Sequence, residues 1–285
     1  MRKDKPSMTA RKVGLTIVAL GAKRGMDSVL PPGIVEATEK ILVASGVVGE
    51  RAVRWSRSKI IVSVYEAFDW MLPGQFVAFA HRKAFCERQV RDGIDAGATQ
   101  ILGLGAGYDT LGWRLAPEFP GVNFFEIDHP TTALLKAKGI DVMGRHNNLC
   151  LMAEDLSKRK LMDVLFSEES WDTSAQTIII AEGLVMYLQD ESVEDLLRQC
   201  AAMIGEDSRI VFSYIPSGTD GRPDVGKWTS LMLWLQKLIG EPWLWSIHPG
   251  ELERFLEQLG WSNAPVFSGT GVNNGVEFYV VAKRQ

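Results

Sequence analysis

The sequence predicts an α/β fold in which a mostly parallel sheet carries a helical N-terminal cap. Three observations predict it. From Thr99 onward, short apolar strands alternate with helical stretches, the pattern of parallel strands joined by crossovers. The first of these strands runs into a glycine-rich turn, Gly103-Leu104-Gly105-Ala106-Gly107. Residues 1–98, by contrast, read mainly as helices.

Each element has its own local reason. Residues 33–44 carry helical periodicity after the stop Pro31-Pro32, and residues 59–70 and 76–94 do likewise, split by Pro73-Gly74. Strand one spans 99–104, and a helix begins at Thr110 and ends near Pro117. Strand two spans 122–127, followed by a helix over 131–138 and a third strand over 148–153. Residues 161–166 are helical, and 177–181 form a wholly apolar strand of the kind buried on both faces. An amphipathic helix over 191–204 leads to a fifth strand at 209–215. Near the end come a helix over 251–259, a short strand at 264–267 and a longer one at 276–282. The Gly- and Asn-rich loop 269–275 reads as the hairpin between those two strands. The expected organisation is a cap over 1–98 and a ligand-binding α/β domain over 99–285, with an insertion at about 216–249.

That insertion holds Trp228, Trp234, Trp243 and Trp245 among leucines. Long excursions in compact domains are often lids or binding segments. An aromatic lid over a hydrophobic substrate and a core helix over 227–239 that buries its tryptophans are both open, and both can hold at once.

Composition narrows the function classes. The chain of 285 residues is 46% hydrophobic and 23% charged, ordinary globular usage. A net charge of −4 gives no basic footprint for nucleic acid. The basic stretch from Arg51 to Lys59 reads as a solvated helix face. Cys86, Cys150 and Cys200 have neither metal spacing nor a disulfide framework, which points to a reducing cytoplasm and no metal. No apolar run approaches the ~18 residues that span a bilayer, and the stretch 13–20 is too short and interrupted for a signal peptide.

The glycine turn discriminates among nucleotide ligands. A dinucleotide fingerprint needs G-x-G-x-x-G/A. Read from Gly103 the third position is Tyr108, and read from Gly105 it is Thr110, so both registers fail. The spacing G-x-G-x-G suits S-adenosylmethionine better than a pyrophosphate. Strand two ends in Glu126-Ile127-Asp128, about 20 residues on, the distance ribose recognition expects. Period two puts both acids on one side, so one can take the ribose while the other supports the loop. After strand three, Asp155 with a neighbouring backbone N–H could read the N6 and N1 edge of an adenine, or Asp155 could cap a helix. Strand four ends in Ala181-Glu182-Gly183, which points a carboxylate into the crevice where it could bind an ammonium.

Together these motifs carry a resemblance. Leu104-Gly105-Ala106-Gly107-Tyr108-Asp109-Thr110 with Trp113-Arg114-Leu115, then Phe125-Glu126-Ile127-Asp128, then Asp155-Leu156, then Ala181-Glu182-Gly183-Leu184 with Tyr187-Leu188, resemble the leucine carboxyl methyltransferase family over roughly residues 80–215. The resemblance implies a Rossmann-like class I methyltransferase sheet, seven-stranded with a C-terminal antiparallel hairpin, and S-adenosylmethionine as cofactor. It implies that Gly105 lines the cofactor, Asp128 holds the ribose, Asp155 and Leu156 frame the adenine, and Glu182 faces the amino group. Arg82 matches the family's arginine for the methionine carboxylate, with Lys23 or Arg24 a weaker candidate for the same group. Two departures stand out: Leu111 follows Thr110 where many bacterial members have arginine, and Glu87 stands near where they carry an aspartate.

Methyl transfer from a sulfonium is an in-line displacement that gains most from alignment. A carboxylate acceptor needs no base, whereas a phenol or alcohol does. Among His81, His129, His146, His248 and Tyr187, the two favoured candidates are His248, just after the Trp-rich segment, and Tyr187, just past Glu182. The expected activity is O-methylation of a small hydrophobic or aromatic acceptor, carboxylate or hydroxyl, in specialised metabolism such as polyketide tailoring. A protein C-terminal carboxyl methyltransferase and a non-catalytic cofactor-binding partner remain as alternatives.

Overall fold

The computed structural model describes residues 7–70, 73–263 and 276–285. Among them, five helices precede the sheet: α1 (Met8–Leu20), α2 (Ile34–Ala44), α3 (Glu50–Ser56), α4 (Lys59–Ala67) and α5 (Gln75–Asp95). The alternating part follows as β1 (Gln100–Leu104), α6 (Leu111–Leu115), β2 (Asn123–Asp128), α7 (Pro130–Met143), β3 (Leu149–Ala153), α8 (Leu161–Phe166) and β4 (Thr177–Ala181). A single 3-10 turn, Val185–Tyr187, leads to α9 (Asp190–Ala202) and β5 (Arg209–Tyr214). The chain closes with α10 (Thr229–Ile239), α11 (Leu252–Glu257), β6 (Trp261–Asn263) and β7 (Phe278–Arg284).

The seven strands form one sheet in the order β3-β2-β1-β4-β5-β7-β6. Strands β1 to β5 pair in parallel, and β7 runs antiparallel to both β5 and β6. The strand order reverses between β1 and β4, so the crevice at their carboxyl ends is the natural ligand site. Strand β4 is buried throughout, as its apolar run requires. Burying a run such as Phe124, Phe125 and Ile127 is the main driving force that holds the sheet.

Three local features bear on the sequence reading. The short strand expected at 264–267 lies outside the described residues, as does the hairpin loop 269–275, and the strand preceding them is β6. Helix α1 starts before the apolar stretch 13–20, because the Ser7 hydroxyl accepts the Ala10 N–H at 3.1 Å and caps it. The basic stretch 51–59 divides between α3 and the start of α4, with Val53 buried while Arg51, Arg54 and Lys59 stay exposed.

The core-helix reading of 227–239 does not hold, because Trp228 and Trp234 are exposed; the inward tryptophans come after the helix. Trp245 is only 4% exposed and packs against Tyr214 and Phe255. Trp243 lines the cavity described below, whereas Trp234 on α10 is exposed.

Helix α5 lies against β4 at one close contact. A Cβ on Gly93 would sit 2.4 Å from Ile178 Cγ1. Gly93→Ala is therefore expected to lower stability by about 1–3 kcal/mol, the usual cost of overpacking, measured as a shifted urea midpoint. Arg82 and Lys83 lie about three turns upstream on the same helix, so this contact also sets where their side chains enter the sheet's crevice.

Candidate active site

A cavity of about 980 Å³ opens at the carboxyl ends of β1, β2 and β4. Gly103, Gly105 and Gly107 line it, together with Asp128, Asp155, Leu156 and Glu182. Arg82 and Tyr187 line it as well. The structure thus brings together nine of the sequence-predicted residues, drawn from six separate stretches of chain.

The glycine turn is shaped by backbone demands. Gly105 has φ of 64°, and a Cβ there would stand 2.9 Å from Leu184 Cδ1. Only glycine meets both constraints without strain. Gly107, at φ of 51°, lies beneath α1, where a Cβ would come within 3.0 Å of the Ala10 side chain. The Gly107 N–H donates to Asp128 Oδ2 at 2.6 Å, which ties the turn to the tip of β2.

The two acids of β2 divide otherwise than the sequence suggests: Glu126 holds a helix, and the acid that supports the glycine loop is Asp128 itself. Glu126 is buried and pairs with Lys136 of α7 at 2.6 Å, fastening that helix to the sheet. Asp128 stands in the cavity wall, and burial pushes its carboxyl above the ordinary aspartate range against N–H bonds from Gly107 and His129. Asp155 lines the wall but caps no helix: it closes the turn over 156–158, and α8 begins later with Lys160 as its N-cap. Asp155 accepts from the Ser157 hydroxyl at 2.6 Å and the Ser157 N–H at 3.1 Å, and it pairs with Lys158 at 2.9 Å. Burial pushes its carboxyl up, but these bonds prevail and hold it down at about 2.

Glu182 anchors a buried charge cluster. Arg82 Nε donates to it at 2.7 Å and Lys83 Nζ lies 2.9 Å away. Lys83 also pairs with Asp109 at 2.9 Å, and Arg82 Nη1 reaches both oxygens of Glu277, at 2.7 and 2.6 Å. Two cations thus meet three carboxylates. Burial alone would push the Lys83 ammonium down, yet Asp109 and Glu182 outweigh it and raise it. Both Glu182 oxygens already accept bonds, but a carboxylate offers about four lone-pair sites, so room remains for an ammonium.

Glu87, one of the two departures from the family pattern, is buried among arginines. It pairs with Arg114 of α6 at 2.7 Å and with Arg91 at 3.0 Å. A carboxylate one carbon longer than aspartate thus ties α5 to the helix after the glycine turn.

Tyr187 faces the cavity and accepts hydrogen bonds from Trp243 and Thr9. Burial, then the Glu277 charge, pushes its hydroxyl up to about 12, so it stays protonated at neutral pH. His248 lies elsewhere: it is exposed, its Nδ1 accepts the Gly250 N–H at 3.2 Å, and it is not part of the cavity wall. The cause is the turn after Pro249, which directs the histidine to solvent. Lys23 also lies outside the wall and pairs with Glu66 instead, while Arg24 is exposed.

Sequence reasoning missed Lys83, Glu277, Glu241 and Thr9, all in the wall. Glu241 is 9% exposed and accepts the Ser7 hydroxyl at 3.2 Å and the Thr9 N–H at 3.1 Å. A carboxylate therefore sits on the positive end of α1. Lys83 carried a local signal, since it adjoins Arg82, but the others come from segments with no motif. Among the described residues no cluster of His, Cys, Asp or Glu is placed to hold a metal ion, and no helix is long and apolar enough to cross a membrane.

The donor set fits S-adenosylmethionine. The glycine turn leaves a cradle that side chains would fill, Asp128 suits a ribose diol, Asp155 an amino edge, and the Arg82–Glu182 pair a zwitterion. The sequence profile of the family described as "Leucine carboxyl methyltransferase" matches residues 43–201, more than half of the chain. A protein of Mycolicibacterium paratuberculosis, assigned as an S-adenosyl-L-methionine-dependent methyltransferase, is 28% identical over 209 residues. The match covers 72% of this chain and 66% of that protein, so the chain spans just under two thirds of this relative's length. A second, from Mycobacterium avium and assigned in the same words, is 25% identical over 89% of this chain and 82% of its own. The crystal structure of a Thermobifida fusca protein assigned as a methyltransferase shares the fold, with a TM-score of 0.58 at 15% identity, over 90% of this chain and 98% of that one. PigF with bound S-adenosylhomocysteine aligns with a TM-score of 0.51 at 16% identity, over 73% of this chain and 59% of its own. By profile match and by the order of its motifs, this chain belongs to the leucine carboxyl methyltransferase family, whose members use S-adenosylmethionine.

Proposed function

We propose that the protein transfers a methyl group to a hydroxyl of a small hydrophobic or aromatic acceptor. S-adenosylmethionine supplies the electrophilic methyl on a sulfonium when bound. Asp128 would hold its ribose, Asp155 and the Leu156 N–H its adenine, and Arg82 with Glu182 its amino-acid end.

One observation carries the preference for a hydroxyl. The wall beyond Glu182 combines the protonated Tyr187 and Trp243 with the carboxylates Glu277 and Glu241. A carboxylate acceptor would add negative charge where Arg82 and Lys83 are already shared among three acids. Arg11, also in the wall, acts on Tyr108 beside the glycine turn. A neutral hydroxyl avoids the repulsion. Tyr187 can donate to its oxygen, and a wall carboxylate can take its proton as the methyl arrives.

The test is a panel of phenols and alcohols beside carboxylic acids of matching shape, with labelled cofactor. Base-stable product from the hydroxyl compounds is expected. Base-labile ester from the acids overturns the hydroxyl reading, and labelling of a phosphatase tail peptide favours protein carboxyl methylation. Cofactor binding without transfer to any of them favours a non-catalytic partner.

A further inference from the structure

We propose that Glu277 is a resident stand-in for the cofactor's carboxylate: it holds Arg82 and yields it when the cofactor binds. The proposal rests on the reading of Arg82 as the clamp for the methionine carboxylate.

The argument begins with what Arg82 already holds. Its side chain is 5% exposed, Nε is taken by Glu182, and Nη1 by both oxygens of Glu277. A buried guanidinium short of acceptors is costly, and Glu277 satisfies the Nη1 that Glu182, bonded to Nε, does not take. The cofactor's ammonium can go to Glu182, but its carboxylate would compete with Glu277 for Nη1.

The three residents are not equally held. Glu182 bridges Arg82 and Lys83. Asp109 holds Lys83 and also accepts the N–H groups of Thr110 at 2.6 Å and Leu111 at 3.2 Å, fixing the start of α6. Glu277 has Arg82 as its one hydrogen-bonding and ion-pair partner among the described residues. It also lies just outside the ladder of β7, whose last pair with β5 is Phe278 opposite Tyr214. Glu277 is the carboxylate with least to lose.

Its destination is in the same cavity. Glu277 lines the wall with Tyr187 and is the largest charge effect on the tyrosine hydroxyl. Released from Arg82, its carboxylate stands at the acceptor side with both oxygens free to accept a proton. Cofactor binding would then arm the acceptor site, and the cofactor would bind first.

The test is calorimetry with two probes, S-adenosylhomocysteine and its decarboxylated analogue, on the wild-type protein and Glu277→Gln. Removing the competitor removes the penalty for freeing Arg82. The variant should therefore bind S-adenosylhomocysteine about tenfold more tightly, with affinity for the decarboxylated probe unchanged. Equal shifts for both probes, or weaker binding of S-adenosylhomocysteine, overturn the proposal in favour of a tether. Glu277→Ala should repeat the result and carries the test if the glutamine variant does not fold. Arg82→Met separates the two levels: it should abolish the wild-type preference for the carboxylate-bearing probe. If it does not, the Arg82 assignment itself fails.

Discussion

Glu182→Ala is expected to destabilise the fold by about 3–5 kcal/mol, the scale of breaking a buried ion pair by removing one partner. The residue is 8% exposed at its side chain and, among the described residues, is the one acid that both Arg82 and Lys83 contact. Its loss leaves Arg82 with Glu277 and Lys83 with Asp109, as two separate pairs stripped of their bridge. Urea unfolding of the variant beside Glu182→Gln, which keeps the shape and an acceptor, is the measurement. A loss under about 1 kcal/mol, the scale of an exposed pair, would mean that the cluster is screened by water. The pH response follows from Asp109. Burial pushes its carboxyl up, but Lys83 and Lys136 outweigh that and hold it well below the ordinary range. A depressed carboxyl stabilises the fold above its unfolded value, near 4, and that contribution fades as pH falls through the folded value. Lys83→Met should remove this part of the acid sensitivity.

Asp128→Ala is expected to weaken S-adenosylhomocysteine binding about 100-fold, since charge-assisted hydrogen bonds to two ribose hydroxyls contribute about 1.5–3 kcal/mol each, less the partial rescue by water. The loss has a second source in the glycine turn, because the Gly107 N–H would no longer find its acceptor at 2.6 Å. Asp128→Asn keeps an acceptor for that N–H and so isolates the ribose contribution. Burial raises the Asp128 carboxyl, and only the ionised form accepts from both hydroxyls. Wild-type affinity should therefore fall on acidification from a pH above the ordinary aspartate value near 4, and the asparagine variant should lack that dependence. Calorimetry across pH reads both. Unchanged affinity in Asp128→Ala would sink the ribose assignment.

The cofactor half of the crevice was legible because its residues sit at strand ends. A strand that enters a glycine turn, an acid one strand later and another at the tip of a central strand are fixed by short-range geometry. Gly105, Asp128, Asp155 and Glu182 could thus be placed before any contact was known. A helix over 227–239 was one reading the sequence left open, yet which of the tryptophans around it turn inward was not legible. Burial of Trp245 and exposure of Trp234 depend on which neighbours cover each side.

The histidine and lysine candidates show where such reasoning stops. His248 and Lys23 have suitable chemistry, but a turn sends one to solvent and Glu66 occupies the other. The rest of the cavity wall is assembled from distant segments that no local pattern links. Ser7 and Thr9 at the start of α1 meet Glu241, 234 and 232 residues away, and Arg82 meets Glu277 across 195 residues. The sequence by itself determined the sheet, the glycine turn and the cofactor class, because periodicity and turn chemistry act over a few residues. Only the tertiary structure decided which carboxylate holds Arg82 and which side chains complete the cavity wall, because buried charges choose their partners by proximity in space.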